Sequence, residues 1–389
     1  MAIIRTATPE PWVRPSLTNV VITNMTAATI VQPRFLNATR TTIYGTRGNL
    51  LVKSSDDGTT WTTVRDFGTP AAGAWLLPNG EALVATKPGG NKGQLMLSTG
   101  FAANDTTATW ASVLTCSRND NYIHPAWGLS MAPAGHPRAG IVVATEYGVQ
   151  GAAGDSDDIT SKAWLSSNYG QSWRQIFNLS SIGRANMHMH GIVYDPWDDR
   201  PVISVGDGNA GQSSYSGVLV SNNWQDQTPS WSWVLGPFTT ASFQLTTMYP
   251  TPSGIIAAGD GFPPGMYRLP RRGYRDIGAT QVVMNWGGGT DAGFIGQQIY
   301  QHSPGQIILM GKEYTKASPF LPITIDGSID GTTFFELWRD TTGAGIAQYT
   351  LSNPIGPTMT GKVCAAIKDY RTATTTWKWL TGELVNPGT

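Results

Sequence analysis

Cysteine is almost missing from this chain: Cys116 and Cys364 stand far apart and neither has a CxxC context. That excludes a disulfide framework, and both residues read as small buried hydrophobes in a protein made in a reducing cytoplasm. Charge is scarce too, at 13% of residues, about half the globular average. The 26 basic and 26 acidic residues cancel, so there is no electrostatic footprint for nucleic acid or an anionic membrane. No run of about 18 apolar residues exists, which excludes a membrane-spanning helix and any membrane insertion by one. The opening "MAIIRTATPEPWVRPS" lacks a basic region followed by a long apolar stretch, so no secretory signal is expected. Helical patterning is absent throughout.

What the chain has instead is glycine, 45 residues, and tryptophan, 15. Many turns and many aromatic strand residues favour an all-β chain of dense hairpins. A short apolar strand, often ending in an acid, recurs with marker residues Ile43, Leu83, Ile141, Val202, Ile255, Ile307 and Val363. The successive steps are 40, 58, 61, 53, 52 and 56 residues, counted directly along the chain. Each marker strand is preceded by another strand and a turn, as in "AWLLPNGEALVAT" and "IYQHSPGQIILMG". A third strand follows, then a fourth opening on an aromatic, as in "WTTVRDF" and "WRQIFNL". Four antiparallel strands per repeat, seven times, predict a seven-bladed β-propeller, or six blades if the short first repeat is incomplete. The whole chain, 1–389, is expected to be one domain. Residues 1–16 form an extension, and a strand at 17–23 completes the last repeat and removes exposed sheet edges.

The phrase "SSDDGTTW" at 54–61 returns as "SSNYGQSW" at 166–173, each time between the third and fourth strands. Gly58 and Gly170 supply positive φ, Asp56 and Asn168 can bond nearby amides, and Trp61 and Trp173 can pack against a neighbouring blade. The pattern Ser-x-Asp-x-Gly-x-Thr-Trp resembles the Asp-box of sialidases and related propellers. Ser54, Asp56, Gly58, Thr60 and Trp61 match it; Ser166, Gly170 and Trp173 match it with Asn168 for Asp and Ser172 for Thr. The resemblance implies a propeller in which these residues are structural and lie on the face opposite any active site. It does not extend to catalysis. Sialidase chemistry, as the resemblance implies, needs an arginine triad, a Tyr–Glu nucleophile pair and an acid/base Asp, and "QPRFLNATR" at 32–40 does not match the family's first arginine motif.

A site is expected where second strands end. Glu146, Asp207, Asp260, Glu313 and Asp369 hold that place in five repeats, with Tyr147, Tyr314 and Tyr370 adjacent. Loops on a rigid scaffold are the usual carriers of chemistry, so these are expected to converge on a top-face depression. The alternative is that each acid caps loop amides at a strand end. His124, His188 and His190 fall at the starts of first strands, and the last two, two apart, are expected on one strand face. They are assigned as hydrogen-bonding pocket residues, with no metal. No cofactor is expected, although crowded carboxylates could hold a cation.

Low charge, abundant Thr, Ser, Asn and Gly, and the lack of a signal peptide or disulfides resemble bacteriophage tail and receptor-binding proteins. The expected function is therefore recognition of a cell-surface glycan during host attachment, without sialidase activity, in a virion protein made in the host cytoplasm. Its partners would be that glycan and other tail or structural proteins. Two readings stand beside it: a glycoside hydrolase using two top-face carboxylates, and a propeller scaffold for protein partners.

Overall fold

The computed structural model describes residues 16–26, 29–87, 89–148, 161–182, 188–206, 216–238, 244–259, 265–271, 281–285, 294–301, 308–314, 324–328, 335–339, 349–369 and 376–385. Among the described residues there are twenty-nine strands and one short 3-10 turn, Leu179–Ile182, and no helix among them is long and apolar enough to cross a membrane. This is an all-β propeller of four-stranded antiparallel blades.

The chain begins with β1 (Ser16–Met25), then runs through β2 (Gln32–Leu36), β3 (Ile43–Arg47), β4 (Leu50–Ser54) and β5 (Thr62–Asp66) as a meander. The second meander is β6 (Ala71–Leu76), β7 (Ala82–Thr86), β8 (Lys92–Thr99) and β9 (Thr109–Asn119). In the third the inner strand is split into β10 (Tyr122–Ile123) and β11 (Leu129–Met131), both paired to β12 (Val142–Tyr147), with β13 (Lys162–Ser166) and β14 (Arg174–Asn178) outside. The fourth comprises β15 (His188–Asp195), β16 (Arg200–Gly206), β17 (Ser216–Val220) and β18 (Ser232–Phe238). The fifth is β19 (Leu245–Thr251), β20 (Gly254–Gly259), β21 (Gly265–Pro270) and β22 (Gln281–Asn285). Then come β23 (Phe294–Gln301), β24 (Ile308–Tyr314), β25 (Thr324–Ser328) and β26 (Phe335–Arg339), and last β27 (Tyr349–Ile355), β28 (Lys362–Asp369) and β29 (Thr376–Val385).

Hydrogen bonding sorts these strands into six sheets, the count named above as the alternative. Five sheets hold one sequence repeat each. The sixth has eight strands and holds the last two repeats, joined through the single pair Glu313↔Thr350. Its outermost strand is β1, paired antiparallel to β29 from Ser16↔Val385 to Met25↔Trp377 with one irregularity between Thr18 and Val21. The segment expected at 17–23 thus closes the last repeat, three residues longer than the sequence suggested.

The core lies between neighbouring blades. Val143 and Leu165 of the third meander meet Ile192, Tyr194, Ile203 and Leu219 of the fourth, and Phe35, Tyr44 and Leu51 of the first meet Ala82 and Val84 of the second. Inner strands are covered on both faces, so β15 is buried at every position, whereas outer β5 buries only Val64. This explains why second strands read as unbroken apolar runs rather than alternating ones. Each fully buried Val, Leu or Ile in these seams contributes about 1.5–3 kcal/mol.

A shared irregularity marks the inner strands. Their pairing to the second strand slips between Pro33 and Phe35, Ala71 and Gly73, Met189 and Gly191, Leu245 and Thr247, Gly296 and Gln298, and Ser352 and Ile355. In the third meander the whole excursion His124–Gly128 interrupts the strand at the corresponding place. Bulges of this kind turn side chains out of the strict alternation of a strand.

Candidate functional site

Four meanders bring polar and aromatic side chains together around the starts of their inner strands. The excursion between β10 and β11 closes through Gly128 N–H donating to the His124 carbonyl at 2.9 Å. Within it, the Ala126 amide donates to His124 Nδ1 at 3.2 Å, which makes that nitrogen the acceptor and leaves the proton of the neutral ring on Nε2. The His124 ring stacks on Trp127, with centroids 3.4 Å apart and planes 11° from parallel. Tyr147 stands edge-on to Tyr122 at 5.7 Å and stacks on His188 at 5.0 Å. Lys87 Nζ sits 4.1 Å from the centre of the Tyr122 ring. Burial, and then the charges of Arg34, Lys87 and His190, hold the His124 pKa well below the ordinary histidine value, so this ring is neutral at physiological pH.

Arg34 is the unexpected member. It occupies the bulge of β2, is 5% exposed, and stretches its guanidinium toward the second meander. Nε donates to Thr46 Oγ1 at 3.0 Å, and Nη2 donates to Gln32 Oε1 and the Ala72 carbonyl. Ala72 is itself the bulge residue of β6. Among the described residues no carboxylate accepts from Arg34, and Nη1 has no partner. Burial alone pulls this guanidinium down to about 9, still protonated at neutral pH. A buried cation compensated only by neutral acceptors is costly, by several kcal/mol on general grounds. Trp127 Nε1–H is a second buried donor with no partner among the described residues. His124 Nε2–H is a third donor that no described residue accepts from.

Of the residues expected at this site, His124, Tyr147, His188 and His190 gather here. His188 and His190 are 4% and 2% exposed. They do not obey simple strand alternation, because His190 is the extra residue of the β15 bulge between Met189↔Val205 and Gly191↔Ser204. The His190 ring packs on Gly206, where a Cβ would lie 2.5 Å from its Cε1, so only glycine leaves it room.

Glu146 is present but differently employed. It is fully buried, and Oε1 accepts from the Ser117 amide at 3.0 Å and from Trp164 Nε1 at 2.8 Å. Oε2 accepts from the Ser117 hydroxyl at 2.6 Å and from Asn121 Nδ2 at 2.8 Å. Four donors occupy its lone pairs, so it clamps β9 and β13 to β12 beneath the aromatic cluster. This matches the strand-end capping alternative for that one acid. Asp207, Asp260 and Tyr370 lie outside the described residues. Glu313, Tyr314 and Asp369 lie on described strands, opposite Ile295, Phe294 and Tyr349, and their side chains are outside the described ones.

Sequence reasoning missed Arg34, Lys87 and Trp127. Lys87 had a readable signal: "VATK" at 84–87 aligns with "VATE" at 143–146, which puts a lysine where another repeat has Glu146. Arg34 had none, since a bulge is invisible to strand periodicity.

The repeated phrase lies on the other end of the strands, and it is a turn in both copies. Ser54 Oγ donates to Asp56 Oδ1 at 2.7 Å and accepts from Gly58 N at 2.8 Å; Asp56 then accepts from the Thr60 amide and hydroxyl at 2.8 and 2.7 Å. Ser166 Oγ, Asn168 and Gly170 repeat this at 2.9 and 2.8 Å, with the Ser172 amide donating to Asn168 at 3.0 Å. Trp61 and Trp173 each donate Nε1–H to the carbonyl of the turn glycine at 2.9 Å.

No family model matches this chain, and no curated protein matches it. Solved structures do. A puromycin hydrolase mutant complexed with PGG is 13% identical with a TM-score of 0.52, covering 92% of this chain and 54% of that one. The extracellular domain of a protein assigned as a hybrid two-component system from B. thetaiotaomicron is 10% identical with a TM-score of 0.51, covering 92% and 39%. The GH74 xyloglucanase from Xanthomonas campestris is 14% identical with a TM-score of 0.49, covering 79% and 43%. The chain spans about half or less of the length of these three proteins. At such identities the likeness of the first two concerns the fold alone, and the fold is the β-propeller.

Proposed function

We propose that this chain is a glycan-recognising propeller whose ligand carries a carboxylate, bound where the first four inner strands begin. The observation that carries the reading is Arg34: a buried guanidinium with no carboxylate partner among the described residues. A ligand carboxylate accepting from Nη1 would supply the missing charge, in the directional geometry guanidinium groups favour. Trp127 Nε1–H and His124 Nε2–H, which have no acceptor among the described residues, are further donors suited to an acceptor-rich ligand. The stacked rings of Tyr147 and His188 offer flat surfaces for a sugar face.

Binding is favoured over hydrolysis by Glu146, whose four donors leave it no free lone pair for acid or base work. A glycosidase needs two available carboxylates about 5 to 9 Å apart. Composition supports a cell-surface setting in which such a protein serves host attachment as part of a phage tail. The low charge and the two unpaired cysteines suit a protein that assembles in a reducing cytoplasm and acts outside it.

Calorimetric titration of the full chain with hexagalacturonate and sialyllactose tests this. Binding of at least one of them is expected, weakened tenfold or more in Arg34→Gln while Glu146-dependent folding stays intact. Release of nitrophenol from chromogenic glycosides, failure of both acidic probes to bind, or an affinity of Arg34→Gln unchanged from the parent would sink the reading.

A further inference from the structure

An open cleft of about 320 Å³ lies at the opposite end of the strands from Arg34, in the turns of the fourth and fifth meanders. Asp198, Asp199, Arg200, Asn222 and Arg271 line it. Asp198 and Asp199 sit in the β15–β16 turn, Asn222 follows β17, and Arg271 follows β21. The volume falls at the lower end of the roughly 300–1,000 Å³ typical of small-molecule sites. Its lining is polar, which such sites seldom are.

Every charge in the lining is balanced within the protein. Arg271 Nη1 is 2.6 Å from buried Asp195 and 3.2 Å from Asp198, and Arg200 Nη2 is 3.2 Å from Asp198. Arg200 Nη1 donates to Asn222 Oδ1 at 2.8 Å. Asp199 is held by Arg138 at 3.0 and 3.2 Å and by the Tyr194 hydroxyl, while its carbonyl accepts from Trp224. Two acids and two arginines leave the lining with no net charge, so it selects neither anion nor cation. The pairs fix donors and acceptors side by side, the arrangement that adjacent hydroxyl groups can both donate to and accept from.

An exposed aromatic adjoins two of the lining residues, Asp198 in sequence and Arg271 in space. Trp197, in the turn between Asp195 and Asp198, is 47% exposed, and among the described residues it is the one aromatic that open. The Arg271 guanidinium lies 5.3 Å from its ring centre, so the indole is held in place beside the cleft. The Trp197 amide donates to Asp195 Oδ1 at 3.1 Å, which fixes the turn that presents it. An indole held beside fixed hydrogen-bonding pairs is the pairing that recognises a sugar, one face apolar and the rim hydroxylated.

We infer that this cleft is a second saccharide site, for an uncharged sugar, with Trp197 as its stacking platform and Asp198, Arg200, Asn222 and Arg271 as its hydroxyl partners. The inference is independent of the Arg34 reading, because the two sites lie at opposite ends of the strands and choose ligands of different charge.

The test is intrinsic fluorescence and calorimetric titration of the full chain with maltohexaose, cellohexaose and mannohexaose, and with hexagalacturonate as the acidic control. At least one neutral hexaose is expected to bind and to shift Trp197 emission. Affinity should fall about tenfold in Trp197→Ala, with Trp197→Phe in between, since truncating a central aromatic contact costs on that order. Asn222→Ala gives a second variant that leaves the ion pairs in place and should weaken binding several-fold. Arg34→Gln should leave neutral-sugar affinity unchanged. Failure of all three neutral probes to bind, or unaltered affinity in both Trp197→Ala and Asn222→Ala, overturns the inference. So does loss of neutral-sugar binding in Arg34→Gln, which would place both ligands in one site.

Discussion

The two copies of the eight-residue phrase form one turn with two different jobs. Both pair a positive-φ residue with a positive-φ glycine, Asp57 with Gly58 and Tyr169 with Gly170, at nearly the same angles of 56° and 88°, and 56° and 79°. The second copy docks on the meander just before it in sequence: Gly170 faces Leu83, and Trp173 packs with the cluster around Leu83 and Val142. The first copy docks across the seam where the ring closes. The Asp57 carbonyl accepts from Trp379 Nε1 at 3.0 Å, its carboxylate accepts from Thr360, and Trp61 stands edge-on to Trp379 at 5.3 Å. Each copy therefore clips its blade to the preceding one, and only in the first copy is that neighbour more than three hundred residues later in the chain, since Asp57 and Trp379 are 322 residues apart. Local sequence specifies the turn, and position in the ring decides what the turn fastens.

The largest effect that would sharpen this contrast is at the glycines. A Cβ on Gly58 would lie 2.3 Å from the Trp379 ring, whereas one on Gly170 would lie 3.3 Å from the Leu83 side chain. Gly58→Ala combines left-handed backbone strain with a clash against a rigid ring and should destabilise by about 3 kcal/mol. Gly170→Ala should cost about 1–2 kcal/mol, mostly backbone strain. Urea unfolding of the two variants compares them directly, and equal losses would remove the seam from the explanation.

Next come the tryptophans. Trp61→Ala and Trp173→Ala should each lose about 2 kcal/mol, below the value for a fully buried aromatic because both rings are partly exposed. Saccharide affinity of the folded fraction should be unchanged in both, because neither tryptophan is among the residues of either proposed site. A variant that keeps its melting temperature but stops binding would show that the phrase belongs to a site.

The smallest effect separates Asp56 from Asn168. Burial raises the Asp56 pKa, but hydrogen bonds from the Thr60 amide, the Ser54 hydroxyl and the Thr60 hydroxyl outweigh it and leave the group below its ordinary value. A depressed carboxyl adds stability that is present above its unfolded pKa and is lost as pH falls through the folded one. Asp56 is exposed, so solvent screening limits this to about 0.5 kcal/mol. Asp56→Asn should therefore be slightly less stable than the parent at neutral pH, with the gap closing below about pH 4. Melting curves across pH read this out, and a gap independent of pH would mean the charge contributes nothing.

How much of this was legible follows from how far apart the interacting residues lie. Strands, hairpins and the repeated turn were readable because their partners are near neighbours: every bond of the Ser54 turn falls within four residues. The closing strand was readable from the missing edge of the last repeat. The role of Glu146 was not, because its donors Ser117, Asn121 and Trp164 stand 29, 25 and 18 residues away and only the folded sheet brings them together. Arg34 was passed over because recognition rested on matching a family motif, while what sets it apart is burial without an acid, a property of the fold. His188 and His190 were placed correctly in the chain but assigned a shared face by strict alternation, which the bulge at His190 breaks.

The pairing of β1 with β29 has a consequence for how the protein comes to exist. Asn19 donates to Glu383 at 2.8 Å, across 364 residues of chain. During synthesis β1 emerges hundreds of residues before its partner, so it must wait as a strand without β29 while carrying Val21 and Ile22, which stay 54% and 43% exposed even after docking. Until β29 has emerged, the growing polypeptide is an arc with two sticky edges rather than a ring. A chain cut short anywhere before Thr376 keeps both edges open for good, and is a natural substrate for chaperones, proteases or edge-to-edge aggregation.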